Sequence, residues 1–164
     1  QGEMGEVVGR SPAMMTAYHG RKDATAAAEW FDAEGNRFIR HGDIGRFDAD
    51  GFLTLLDRKK DLIISGGFNI YPADLEAVLA RHPAVADCSV IGVPNETWGE
   101  SPVGFYVPHT GTDASIAEIL DWTNAQLGKT QRLAALHAIA ELPRSAIGKV
   151  LKRELRDRLA EHAL

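Results

Sequence analysis

Asp57-Arg58-Lys59-Lys60-Asp61-Leu62-Ile63-Ile64-Ser65-Gly66-Gly67-Phe68-Asn69-Ile70-Tyr71-Pro72 decides how the chain is organised. A run of charges gives way to β-branched residues, then to a double glycine, then to a Tyr-Pro pair. Charged residues in series cannot enter a core without partners, so residues 57–60 mark a boundary between two parts of the chain. Pro72 suits the first position of a helix, and Asp74 and Glu76 place negative charge in its first turn, where backbone N–H groups lack partners. Leu75, Val78 and Leu79 then form one apolar face, and the helix should end before Pro83.

Outward from that stretch, residues 1–56 are expected to be β-rich and irregular. Residues 6–10 make a short strand candidate, and Asp48-Ala49-Asp50-Gly51 between Phe47 and residues 52–56 is a hairpin signal. Downstream, residues 88–93 and 103–107 are strand candidates rich in β-branched and aromatic side chains. Ser115 and Glu118 form a capping box for a helix carrying Ile116, Ile119, Leu120 and Leu127, stopped by Gly128. Residues 133–142 are Ala-rich and suit a helix by propensity. The last helix is expected from about Lys149 to residue 163, with Val150, Leu151, Leu155 and Leu159 on one side and Glu154 and Arg158 paired one turn apart. Hairpin elements followed by β-α-β-β-α, the Ala-rich segment and a last helix is the resulting order.

The 164 residues suffice for one good core, or for a small domain plus part of another. With 18 basic against 23 acidic residues the net charge is −5, which argues against a general nucleic-acid surface. Cys88 alone excludes an internal disulfide and fits a reducing, cytoplasmic compartment. No apolar run approaches the ~20 residues of a membrane span. Gln1-Gly2-Glu3-Met4 has neither the basic nor the apolar part of a signal peptide, and the chain reads as a piece of a longer polypeptide.

The stretch from Asp57 to Pro72 closely resembles the hinge segment of the adenylate-forming enzymes, which include acyl-CoA synthetases, peptide-synthetase adenylation domains and luciferases. Gly42-Asp43-Ile44-Gly45 upstream and Leu142-Pro143-Arg144-Ser145-Ala146-Ile147-Gly148-Lys149 downstream resemble further motifs of that family, in the family's order. The resemblance implies an α+β fold: a small lid domain of short β-sheet with about three helices, preceded by a β-rich remnant of a large domain. It places the remnant at residues 1–57 and the mobile lid at 58–164, and makes residues 133–142 a strand. It also implies the reaction: a carboxylic acid and ATP give an acyl-adenylate and pyrophosphate, and a thiol, usually of coenzyme A, displaces AMP.

The same resemblance assigns residues. Lys149 is the catalytic cation for the first half-reaction, in which two anions must be brought together. Asp43 would accept both ribose hydroxyls of the nucleotide, with Arg58 on the other side of the same ribose. Where the family usually has Thr before the Gly-Asp pair, this chain has His41, so a hydroxyl contact to phosphate is lost there. Lys60 would be the hinge, and Ser65, Gly66 and Gly67 the wall of the coenzyme A channel, with Trp98 stacked on its adenine. Each has a plainer reading: surface cations, a turn aspartate, a strand-end glycine turn, a tryptophan in a satellite core. Cys88 reads as inert packing, and the six histidines show no metal-ligand spacing.

The glycine-rich phosphate loop, the acyl pocket and the acidic magnesium ligand of the family have no counterpart in these residues. The chain is therefore expected to need the large N-terminal domain as partner, to use ATP, Mg²⁺ and coenzyme A only with it, and to be inactive alone. An adenylation domain that loads a carrier protein, and a non-catalytic lid-like interaction module, are the rival readings. A strand-rich remnant cut from its sheets exposes edges and apolar faces, so residues 1–56 should either drive self-association or be poorly ordered. Light scattering tests this: a monodisperse monomer with protected amides throughout residues 1–56 contradicts it.

Overall fold

The computed structural model describes residues 2–162. They divide into two compact units, one ending at Lys60 and the other beginning at Asp61.

The first unit is a four-stranded antiparallel sheet built on one long strand. β1 (Gly5–Gly9) lies along one edge of β3 (Arg37–Phe47), while β2 (Glu29–Phe31) and β4 (Leu53–Arg58) share its other edge in succession. The hairpin expected at residues 48–51 joins β3 to β4. Asp48 Oδ1 accepts from the backbone N–H groups of Asp50 and Phe52 at 3.0 and 2.9 Å, and Gly51 closes the turn at φ +85°. Gly45 lets the strands bulge and close up, because a Cβ there would lie 2.9 Å from Leu53 Cδ1 and 3.0 Å from Val7 Cγ2. The helix α1 (Lys22–Ala28) was not anticipated. It buries no residue and has no side-chain cap, so neither periodicity nor a capping signal marks it. Phe31, Phe47, Phe52 and Leu55 are exposed on this unit.

The second unit is a five-stranded sheet with helices on both faces. β7 (Val85–Asn95) and β8 (Gly99–Pro108) form a continuous antiparallel ribbon. The other edge of β8 takes β5 (Ile63–Ser65) at Gly99 and β9 (Ala135–Ala138) in parallel at 103–106. β6 (Phe68–Ile70) completes the sheet beyond β5. Strand period 2 divides the core. Val90 and Tyr106 face Leu75 and Leu79 of α2 (Pro72–Leu79) and Ile119 of α3 (Ile116–Gln126). Ile91, Val103 and Phe105 face the other way, toward Leu155 of α4 (Lys152–His162). Gly104 makes room on the first face, since a Cβ would come within 2.9 Å of Leu136 Cδ1 and 3.2 Å of Leu133 Cδ1. This is the α+β arrangement expected, with three helices in the second unit.

Several local expectations need correction. Gly66-Gly67 turns the chain into an extra strand, β6, so the unit opens β-β-α rather than β-α. α3 stops at Gln126 with Leu127 extended, and Gly128 has φ −61°, so it is not a left-handed cap. α4 begins at Lys152, not Lys149, because Leu151 N–H is committed to Pro143 O at 2.8 Å. Residue 163, the expected helix end, lies outside the described residues.

The capping box forms as read. Ser115 N–H donates to Glu118 Oε2 at 2.8 Å, and Glu118 N–H donates to Ser115 Oγ at 3.2 Å. Those bonds, the backbone one first, hold the Glu118 carboxyl below its ordinary 4.5. Cap stability is thus complete above the unfolded-state value and is lost as pH falls through the depressed folded one. The protection factor of Ser115 N–H, its exchange relative to the unstructured rate at each pH, should fall over that acid range, and a constant protection factor contradicts the cap. In urea melts, Leu79→Ala should cost about 2–5 kcal/mol, whereas Phe52→Ala on the exposed face should change stability by less than about 0.5 kcal/mol.

Candidate functional site

The residues singled out from sequence fall into separate groups in the two units. In the first unit Asp43 and Arg58 are register partners across β3 and β4, and Arg58 Nε lies 2.9 Å from Asp43 Oδ1. Gly42, at φ +72°, turns the strand just before Asp43, a backbone state that only glycine adopts without strain. Asp43 is three-quarters buried while Arg58 is half exposed, so the pair offers a fixed carboxylate with unused acceptor lone pairs beside a fork of donors. Next to it Glu6 accepts from Arg40 Nη1 at 2.6 Å and Lys59 Nζ at 2.9 Å. Burial pushes the Glu6 carboxyl up, but the bonds from Lys59 and Arg40 outweigh it and the net shift is downward. His41 is exposed, with its ring against Gly9: a Cβ on Gly9 would be 2.6 Å from His41 Nε2.

Lys60 sits in a single 3₁₀ turn (Lys59–Asp61) at the division between the units. The next residue, Asp61, is buried and receives Arg156 Nη2 at 3.3 Å. The chain is thus pinned to α4 immediately after Lys60, an anchor that the sequence did not suggest.

Within the second unit, Ser65, Gly66, Gly67 and Trp98 come together. Gly66 and Gly67 form a two-residue hairpin loop with φ +56° and +82°, the geometry that matches the twist of β5 and β6. Gly66 N–H donates to Trp98 O at 2.8 Å. The Trp98 ring lies over Gly66, and a Cβ there would be 3.0 Å from Trp98 Cε3. Asn95 Oδ1 accepts from the N–H groups of Thr97 and Trp98 at 2.9 and 3.0 Å, which fixes the turn that presents the indole. Trp98 and Phe68 remain 58% and 59% exposed, so neither is core packing.

Ser65, Gly66, Phe68 and Trp98 line one side of a cavity of about 460 Å³, whose other side is Lys129, Thr130 and Arg132; Gly67 is in the turn but does not line it. That volume is in the range of small-molecule sites. Asn124 holds the cationic side in place, donating to Leu133 O at 3.0 Å and accepting from Leu133 N–H at 2.8 Å. Lys129 and Arg132 escaped the sequence reading, which took Gly128 only as a helix stop. The signal was there: two cations within four residues, directly after a helix end.

Lys149 does not line that cavity. It stands exposed at the end of a tight loop closed by a bridge between Arg144 and Val150. Ser145 N–H donates to Lys149 O at 2.8 Å, and Lys149 N–H donates to Ser145 Oγ at 3.2 Å. Lys152 differs: its ammonium is 2.9 Å from Glu76 Oε1 and largely buried, a structural tie between α2 and the start of α4. Cys88 is half-buried, with burial first and then Glu76 and Asp87 pushing its thiol up to about 12, so it is no nucleophile.

No helix among the described residues is long and apolar enough to cross a membrane.

Comparison with known proteins gives the family. The AMP-binding enzyme C-terminal domain family matches residues 74–149. A 2-succinylbenzoate–CoA ligase of Geobacillus kaustophilus is 44% identical over 154 residues, 94% of this chain and 30% of that protein. Its Bacillus subtilis counterpart is 40% identical over 155 residues, again 94% of this chain and 30% of the relative. The crystal structure of ATP-bound MatB from Rhodopseudomonas palustris superposes with a TM-score of 0.87 at 32% identity, covering 96% of this chain and 31% of the other. The Bacillus subtilis o-succinylbenzoate CoA synthetase (MenE), in complex with its acyl-adenylate intermediate, gives 0.79 at 40% identity, covering 94% and 31%. The chain spans about 30% of the length of the curated relatives it matches. With the Lys149 loop inside the family match and relatives aligned over 94–96% of its length, the chain belongs to the adenylate-forming, AMP-binding enzymes and carries their C-terminal domain.

Proposed function

We propose that this chain is the lid and hinge of an AMP-forming acid–thiol ligase whose large domain holds the acyl pocket. The observation that carries this is the cavity with a glycine wall and an exposed indole on one side and two cations on the other. A side-chain-free wall suits the narrow, uncharged pantetheine arm of coenzyme A. An aromatic face suits its adenine, and Lys129 with Arg132 suits its phosphates. The 2-succinylbenzoate–CoA ligases among the relatives make an aromatic dicarboxylic acid the first substrate to try.

On this reading the two half-reactions use different faces of the second unit. In the first, a carboxylate oxygen attacks the α-phosphorus of ATP and the bond to pyrophosphate breaks. Lys149 supplies positive charge where the two anions meet. Asp43 takes the ribose hydroxyls and Arg58 holds Asp43 in place. In the second, the thiolate sulfur attacks the acyl carbon and the bond to AMP breaks, with coenzyme A lying along Gly66 and Gly67. Rotation about Lys60 exchanges the faces, and the Asp61–Arg156 anchor confines the dihedral change to the residues before it. The family resemblance places the magnesium ligands in the large domain.

Half-reactions measured separately on the enzyme completed by its large domain test this. Lys149→Ala should slow adenylate formation about 10²–10³-fold while sparing thiolysis of supplied acyl-adenylate. Lys152→Ala should lower stability instead. Arg132→Ala and Trp98→Ala should raise KM for coenzyme A with adenylate formation unchanged. Equal loss of both steps in Lys149→Ala, or an unchanged KM for coenzyme A in Arg132→Ala, contradicts the assignment.

A further inference from the structure

We propose that Arg144 and Asp87 form a strap that fixes the Lys149 loop, making both of them positioning residues for adenylate formation. The inference rests on the role given to Lys149 above. The Arg144 guanidinium makes two bonds in different directions. Nη1 donates to the carbonyl of Gly148 at 2.6 Å, and Nη2 donates to Asp87 Oδ2 at 2.6 Å. Gly148 directly precedes Lys149, so the first bond sets the peptide from which the lysine side chain departs. The second ties that peptide to the sheet, because Asp87 lies within the β7 ladder opposite Val107.

Asp87 is itself oriented. Its other oxygen, Oδ1, accepts from Cys88 N–H at 3.0 Å, so the carboxylate cannot turn away from Arg144 without giving up that bond. Bonds inside the loop close it, with Gly148 N–H donating to Ser145 O at 2.8 Å beside the Ser145–Lys149 pair, but they do not reach the sheet. Ala146, Ile147, Gly148 and Lys149 are all exposed, Ile147 to 77%, so no apolar packing anchors them. Gly148 has φ +79°, which leaves its backbone the freest in the loop. Orientation of the tip therefore depends on hydrogen bonds, and the strap ties the Gly148 carbonyl to the sheet, while Val150 after the loop packs on the core beneath α4. A planar fork that bonds a carboxylate and a carbonyl at once is a geometry that lysine cannot reproduce.

The ion pair is 44% and 40% exposed, so its contribution to folding is small. Its contribution to geometry need not be, since displacing a reacting group by about 1 Å can cost about 100-fold in rate. This separates a positioning role from a structural one. Melting temperatures of Arg144→Ala and Asp87→Ala should stay within about 4 °C of the parent. Adenylate formation should fall about 10- to 100-fold in both, with thiolysis of supplied acyl-adenylate unchanged. The double variant should lose no more than either single one, because the two residues act as one unit. Arg144→Lys, which keeps the charge and loses the fork, should fall between.

Two further readouts keep the outcomes apart. Amide exchange of Gly148 and Leu151, measured on this chain, should accelerate in the strap variants while β7 amides do not change. Lys149→Ala, assayed beside them, reports whether the lysine matters at all. Unaltered loop exchange in Arg144→Ala overturns the strap. So does a loosened loop with undiminished adenylate formation while Lys149→Ala remains impaired. If Lys149→Ala itself keeps full adenylate formation, the assignment of Lys149 has failed, and the positioning role falls with it even where exchange shows the strap.

Discussion

The pairing of β7 with β8 is the constraint on which the second unit depends. The register runs without a slip from Asp87↔Val107 to Asn95↔Gly99. Because side chains alternate with period 2, that register alone decides which residues meet α2 and α3 and which meet α4. A one-residue slip of β7 along β8 would send Val90 to the α4 side and Ile91 to the other while Tyr106 and Phe105 stayed in place, and both cores would fail together. The same ribbon sets the functional geometry. Its turn presents Trp98 over Gly66, β8 carries the parallel strand β9, and β7 supplies the carboxylate of Asp87 that faces the Lys149 loop.

Two kinds of surface are thereby held on one small sheet. One is a cavity with a neutral wall and a cationic side, in which the Trp98 ring lies so close over Gly66 that a Cβ there would meet it at 3.0 Å. The other is a polar loop with an exposed lysine and no apolar anchor at its tip. The contrast suits their proposed uses. A long flexible thiol carrier needs a preformed track, whereas a cation meeting charge that develops in a transition state needs only a fixed point of departure and reach. Neither surface needs to be strong in folding terms, since the apolar layers on both faces of the sheet supply the stability.

How much of this was legible in sequence follows from how local each signal is. Pro72, the Ser115–Glu118 box and the Asp48–Gly51 turn act through bonds within four residues, and all three form where they were read. The strand over Ala135–Ala138 was the harder case. Its residues favour helix, and only parallel pairing with β8, a contact made across some thirty residues of chain, makes it extended. Strand ends came out too short for the same reason: Asp87, Asn95 and Glu100 look like loop residues until a partner strand satisfies their backbone. α1 left no trace because it buries nothing. Gly128 misled because a glycine at a helix end does not oblige the chain to turn left-handed there. The proposed site could be named from sequence where a motif carried it, at Asp43, Gly66 and Lys149. It was not legible at Lys129, Arg132 and Asp87, whose meaning appears only when distant segments are brought to the same place.

Product analysis tests the central claim most directly. The enzyme that contains this chain with its large domain would be given ATP, magnesium and a panel of aromatic and aliphatic carboxylic acids, with and without coenzyme A, and its products read by mass spectrometry. The account predicts an acyl-adenylate with pyrophosphate when coenzyme A is withheld, and acyl-CoA with equimolar AMP when it is supplied. An acyl-adenylate that forms but never passes to coenzyme A would contradict the reading of the Gly66–Trp98 cavity, and no AMP with any acid would contradict the ligase assignment as a whole.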